Sequence, residues 1–225
     1  MKERIRKIIY TDRFIVVVGF IIIPLLSFIF IGISEESPLY TSISRIAWVH
    51  GYWFSTFLWA LAVMSAIVWL TYRMVYTGPL SARVRRKYFL MQLLNIILVF
   101  IGCILFPAKS GEEVVSFVNY IHDYLTIVAW AMYGIGLLVY SIMIRKKESF
   151  LGFLGIGLMT FTILSSVFFI RNVIDPSTYV GASAVSEVYV INSLVIYLVV
   201  MYVVQGYVAR LKGPLASENE KGDLR

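Results

Sequence analysis

Long apolar runs separated by short polar breaks fill the chain. Six of them, 14–32, 47–71, 88–106, 121–143, 150–170 and 185–207, are long enough to cross a membrane. A hydrocarbon core about 30 Å thick needs about 20 residues at 1.5 Å of rise each. The runs are continuous rather than alternating, so they predict helices and not the strands of about ten alternating residues that build a membrane barrel. A helix also satisfies its own backbone where lipid offers no hydrogen-bond partner. The expected fold is therefore all-α, a polytopic bundle of six transmembrane helices. It forms one domain over 1–212, followed by a polar tail, 213–225, expected to be disordered.

The first run, Phe14 to Gly32, exceeds the usual length of a signal-peptide core and has no small-x-small cleavage pattern after it, so it reads as a retained first helix. Gly78-Pro79-Leu80-Ser81 echoes Gly213-Pro214-Leu215-Ala216, but Gly-Pro is a common stop signal after any helix.

Composition sharpens the class. Of the 225 residues, 60% are hydrophobic and 15% charged, against roughly 45–50% and about 25% in soluble domains. Mean hydropathy is +0.82. The net charge of +7 would suit nucleic acid if it formed a patch. The basic residues instead lie in short blocks beside apolar runs, as anchors to anionic headgroups do, so membrane lipids are the expected partners and nucleic acid is not. Cys103, the sole cysteine, falls inside an apolar run, which excludes an intramolecular disulfide.

Orientation follows from Lys and Arg. With the N-terminus inside, the N-terminal segment, the 72–87 loop, the 144–149 turn and the C-terminal tail hold 17 of the 20 basic residues. Only Arg45, Lys109 and Arg171 fall on the other side. That asymmetry predicts both termini in the cytoplasm and a cell-membrane location.

The remaining awkward residues gather at the non-cytoplasmic helix ends. His50 is expected to open helix two, His122 and Asp123 helix four, and Glu187 helix six, while Arg171 closes helix five with Asp175 just beyond. No charged residue falls near the middle of a span, which argues against a transporter with a charged coupling site at mid-depth. In helix four, Asn119, His122, Asp123, Thr126, Trp130 and Tyr133 share one helical stripe, which must face neighbouring helices rather than lipid. Ser183, Ser186 and Glu187 at the start of helix six, with Thr162, Ser165 and Ser166 of helix five, are expected to complete an outward-facing cleft.

Several chemistries fit such a set. His50, His122, Asp123 and Glu187 are candidate zinc ligands, leaving a position for an activated water, although no His-x-x-x-His pair marks the site. His50 and His122 on one membrane side would suit a single haem. Metal-free acid–base work would use His122 supported by Asp123 or Glu187. Neither zinc nor haem is favoured. Set against all three is plain helix packing, in which first-turn polar residues sit among headgroups and Glu187 pairs with Arg171. The five tryptophans read as belt and packing residues, and Gly152, Gly155 and Gly157 as sites of close helix contact. No Gly-rich phosphate loop or nucleophile elbow occurs.

Gly102-Cys103-Ile104-Leu105-Phe106-Pro107 at the end of helix three, His122 opening the next helix, Gly181 followed by Glu187, and Ser34-Glu35 after helix one together form a pattern. It resembles the prokaryotic multi-pass membrane proteins catalogued as domain of unknown function 998, over most of the chain. The Phe-Pro element departs from that family by one extra residue, and His50 lies outside its pattern. A fainter similarity connects the chain to eukaryotic membrane proteins of lipid-anchor remodelling and implies only a link to lipid. The family resemblance implies that His122, Glu187 and the Phe106-Pro107 turn belong to one constellation. It carries no established activity.

The expected function is a membrane protein whose cleft binds a lipid headgroup or small ligand through His50, Asn119, Thr126, Arg171, Ser183 and Ser186. The rivals are a lipid-directed hydrolase or transferase using His122, Glu187 and Asp123, and a one-haem redox protein.

Overall fold

The computed structural model describes residues 12–33, 38, 41–48, 50–106, 121–122, 124–172 and 183–222, the side chains of 168–172 and 212–222 excepted. Among them, six helices are long and apolar enough to cross a membrane: α1 (Asp12–Gly32), α3 (Trp53–Thr77), α4 (Ala82–Leu105), α5 (Tyr124–Arg145), α6 (Ser149–Asn172) and α7 (Ala184–Gly222). A short helix, α2 (Ile43–Trp48), precedes α3. The protein is a multi-pass all-α bundle. Helix α7 continues helically to Gly222, and its apolar part is Ala184–Leu211.

The second span begins later than its apolar run suggests. Helix α2 ends at Trp48, and the Tyr52 N–H bonds back to the Ile46 carbonyl at 3.2 Å. Gly51 takes a φ of +77°, the left-handed conformation that closes helices and that Gly adopts without a Cβ penalty. His50 therefore sits in this turn, and Trp53 rather than His50 opens the helix. At the opposite end the reverse holds. Arg83, Arg85, Arg86 and Lys87, expected in a loop, form the first turns of α4, which starts from an extended Ser81. Long basic side chains can remain helical while their heads reach the membrane surface.

Helices α3, α4, α5, α6 and α7 pack in sequence and close a ring, since α7 also packs against α3. Helix α1 lies outside it, against α3 and α7. Its middle turn, Val18–Ile22, is a π turn, with the Ile23 N–H bonded to the Val18 carbonyl. Pro24 follows at once and has no N–H to give the regular ladder, which accounts for the wider turn. The outside is apolar: Phe28, Leu94, Phe150 and Phe161 are exposed, as a lipid-facing surface requires.

Inside, tyrosines and amides bridge the helices. The Thr71 and Tyr133 hydroxyls lie 2.7 Å apart, and Gln92 donates to the Tyr88 hydroxyl at 2.7 Å and to the Tyr133 carbonyl at 3.1 Å. Gln205 donates to the Tyr140 hydroxyl at 3.0 Å, and Ser141 meets the Tyr197 hydroxyl at 2.7 Å. Without a hydrophobic drive between helices in lipid, packing and such bonds hold the ring. A Cβ on Gly136 would stand 2.2 Å from the Gln92 amide nitrogen, so only glycine admits that amide. Gly152 and Gly155 make similar close contacts, whereas Gly157 has nothing within 4 Å, contrary to its expected packing role.

The two ends of the bundle differ. At the end carrying the 78–81 and 146–148 turns, Lys147 bonds to the Pro79 carbonyl, and Asp12 joins Arg210 and the Tyr202 hydroxyl, which also accepts from Arg73. At the other end lies a cavity.

Candidate functional site

Four helix termini and α2 meet at this end. The α7 N-terminus is held from within: the Ser183 hydroxyl accepts from the Ser186 N–H at 3.2 Å, and the Ser186 hydroxyl returns a bond to the Ser183 carbonyl at 2.8 Å. Ser183 is thus a helix N-cap. The Ala184 N–H donates to the Thr41 carbonyl at 2.6 Å and the Val185 N–H to the Pro38 carbonyl at 3.3 Å, lacing the segment before α2 onto α7. One turn into α7, Glu187 accepts the Ile43 N–H on Oε2 at 2.8 Å.

The C-terminus of α4 is closed by side chains. A helix end leaves its last carbonyls without intrahelical partners. Trp53 Nε1 donates to the Ile104 carbonyl at 3.1 Å. His122 Nδ1 lies 2.9 Å from both the Gly102 and Phe106 carbonyls. Carbonyls only accept, so Nδ1 carries the proton. In the neutral ring that leaves Nε2 as the basic nitrogen. Helix α5 begins with a π turn, Tyr124–Val128, which presents Thr126 beside α4. A Cβ on Gly102 would come within 2.8 Å of Thr126 Oγ1 and 2.9 Å of Leu125 Cβ, so glycine permits this close approach.

These elements line a partly open cavity of about 310 Å³. Its polar groups are Glu187, His122, Thr126, Thr56, Ser44 and Ser186, with the Cys103 thiol. Its apolar wall includes Trp59, Trp130, Met64, Ala60 and Ile191. Trp59 is fixed by its Nε1 bond to Ser27 at 3.2 Å and by stacking on Phe30 at 4.7 Å. Among the described residues no Lys or Arg lines the cavity.

The expected residues are distributed unevenly. The α5 stripe does face inward: His122, Thr126 and Trp130 line the cavity and Tyr133 is fully buried below it. Glu187 and Ser186 join them, while Ser183 serves the cap and is not in the wall. His122, Glu187 and the Phe106 turn are therefore gathered at one place. His50 does not line the cavity that holds His122. Helix α6 is a correction: Thr162, Ser165 and Ser166 are absent from the wall, and the Ser165 hydroxyl is spent on the Thr162 carbonyl at 3.2 Å. Asn119, Asp123 and Asp175 lie outside the described residues, as do Pro107, Gly181, Ser34-Glu35 and the Arg171 side chain. Among the described residues no three of His, Cys, Asp and Glu gather as a metal ion would require.

Sequence reasoning brought helix two to the cleft through His50, but missed α2 and the residues Ser44, Thr56, Trp59 and Met64 that α2 and α3 supply. Thr56 and Trp59, at a spacing of three, share a helical face and are a sequence signal of it.

The chain matches no protein-family model, no curated protein and no solved structure.

Proposed function

We propose that this is a cell-membrane protein with both termini in the cytoplasm, whose cavity lies toward the outer face and binds an amphiphilic ligand or lipid headgroup. The basic asymmetry of 17 residues against three supports the orientation. The observation that carries the binding reading is the cavity itself. Glu187, His122 and Thr126 line a partly open volume whose remaining wall is largely aromatic and aliphatic. Ligand sites characteristically combine a few convergent polar groups with an apolar lining. We further propose membership in the family of domain of unknown function 998. The placement of His122, Glu187 and Phe106 at one site supports it.

Native mass spectrometry of protein released from lipid nanodiscs tests the binding reading. The wild type is expected to retain a small amphiphile, and Ala60→Phe or Val190→Trp, which fill the cavity, to lose it. Equal retention by all three would reject the cavity as the site.

A second reading, a hydrolase or transferase, is favoured by one observation. His122 is held through Nδ1 with Nε2 left basic in the cavity that contains Glu187. That is the arrangement of a general base with its tautomer set by a hydrogen bond. In this reading labelled bilayer lipids are cleaved by the wild type and not by His122→Asn, whose amide still donates to both carbonyls. A bound ligand returned chemically unchanged would leave the binding role alone.

A further inference from the structure

We propose that the ligand is a long-chain alkyl ammonium amphiphile, its head held between Glu187 and His122 and its chain lying past Met64 in a lipid-facing groove between α3 and α4. This rests on the binding reading above and names the chemistry that the site would select.

The head follows from what the cavity offers. The Glu187 carboxylate uses Oε2 for the Ile43 N–H, and its other oxygen remains an acceptor. With Nδ1 committed to carbonyls, His122 offers Nε2 as a second acceptor in its neutral form. Among the described residues of the wall Glu187 is the only carboxylate and no Lys or Arg accompanies it, so a cationic head finds its counter-charge there. A carboxylate kept from water without a counter-charge is costly, and a ligand that brings a cation removes that cost. Trp59 and Trp130 in the same wall suit an ammonium through their ring faces. An anionic head would be repelled by the Glu187 carboxylate.

The chain follows from Met64. This residue lines the cavity and also a second, apolar groove of about 280 Å³, walled by Leu61, Val68, Ile96, Ile97 and Phe100. Leu61 and Ile97 are exposed on the outer surface of the bundle, so the groove is open to lipid tails. Met64 is the partition between the two spaces, and an unbranched thioether is the side chain best able to swing aside. It stands eleven residues after the first residue of α3, about 16 Å along the axis at 1.5 Å per residue, or half of a roughly 30 Å hydrocarbon core. A molecule with its head at the α7 N-terminus and its tail past Met64 thus keeps its ordinary depth in the bilayer. It needs no passage through water.

The test uses the whole protein in nanodiscs, with affinities expressed per mole fraction in the bilayer so that partitioning cancels. Hexylamine, dodecylamine, dodecanol and dodecanoate are compared by competition against a fluorescent dodecylamine. Dodecylamine is expected to bind at least about tenfold more tightly than hexylamine, dodecanol or dodecanoate. Glu187→Gln should remove the preference for amine over alcohol. Met64→Trp should close the partition and cancel the long-chain advantage, so that in this variant dodecylamine binds no more tightly than hexylamine. Dodecanoate or dodecanol binding as well as dodecylamine would overturn the ammonium assignment. A chain-length advantage that survives Met64→Trp, with Met64→Phe behaving alike, would overturn the groove. If none of the four compounds competes although native mass spectrometry shows another amphiphile in the cavity, the ammonium proposal fails and the binding reading survives. If no amphiphile is retained either, both fail.

Discussion

Deep in the bundle, Thr71, Tyr88, Gln92 and Tyr133 form a buried polar cluster. About 10 Å nearer one end, at 1.5 Å per residue over the seven residues from Tyr133 to Thr126 of α5, His122, Glu187 and Thr126 form another. Both place polar groups from several helices inside a membrane protein. They differ in what surrounds them. In the first cluster the protein supplies the partners: a hydroxyl meets a hydroxyl, an amide meets a carbonyl, and Gly136 is pared to nothing so that Gln92 fits. In the second, Glu187 and His122 each spend one hydrogen bond on the backbone, and Thr126 meets the Cys103 thiol. Glu187 accepts the Ile43 N–H, and His122 donates its Nδ1–H to the Gly102 and Phe106 carbonyls. Each then turns its remaining valence toward open volume. Polar groups that close on one another hold helices together, and polar groups that close on the backbone and face a void are placed to bind.

This contrast predicts a graded series of variants, read by thermal unfolding in detergent beside ligand retention. Gly136→Val should be the most damaging, about 3 kcal/mol at the upper end of overpacking costs, because its Cβ would displace Gln92. A variant as stable as wild type would mean that the central cluster is not closely packed. His122→Ala should follow at about 2 kcal/mol, the cost of leaving buried carbonyls without a donor. His122→Asn should recover most of that loss, since its amide reaches the same carbonyls. Equal stability of the Ala and Asn variants would remove the capping role. Tyr133→Phe should lose only about 0.6 kcal/mol, the average for hydrogen bonds between membrane helices. Glu187→Gln alone should lose no stability, because its carbonyl still accepts the Ile43 N–H and the buried charge is gone. It should nevertheless weaken amphiphile binding about tenfold. A large stability loss with unchanged binding would invert the contrast and make Glu187 a packing residue.

How far the sequence could be read depended on the length scale of each feature. The spans were legible because lipid imposes a continuous apolar run of fixed length on every helix. Helix α2 was not, because its six residues merge into the apolar run that becomes α3, and only Gly51, with its positive φ, separates them. Arg83 to Lys87 read as a loop because charge reports the side of the membrane and not whether the backbone is helical. The α5 stripe from His122 to Tyr133 was legible as an inward face, since polar residues at helical spacing in an apolar run have nowhere else to point. The same reasoning failed for Thr162 and Ser165 of α6, where a hydroxyl satisfies itself on its own helix. Trp59 reads as a packing residue and is packed, yet it bounds the cavity, as does the buried Met64. Which helices sit opposite one another is a tertiary fact that periodicity along one chain does not carry.

The most direct measurement is photo-crosslinking in nanodiscs with a dodecylamine that carries a diazirine beside its head, followed by peptide mapping. The account predicts labelling of Trp59, Met64, Thr126 or Glu187, suppressed by excess unlabelled dodecylamine. Labelling confined to lipid-facing positions such as Phe28, Leu94 and Phe161, insensitive to that excess, would contradict it.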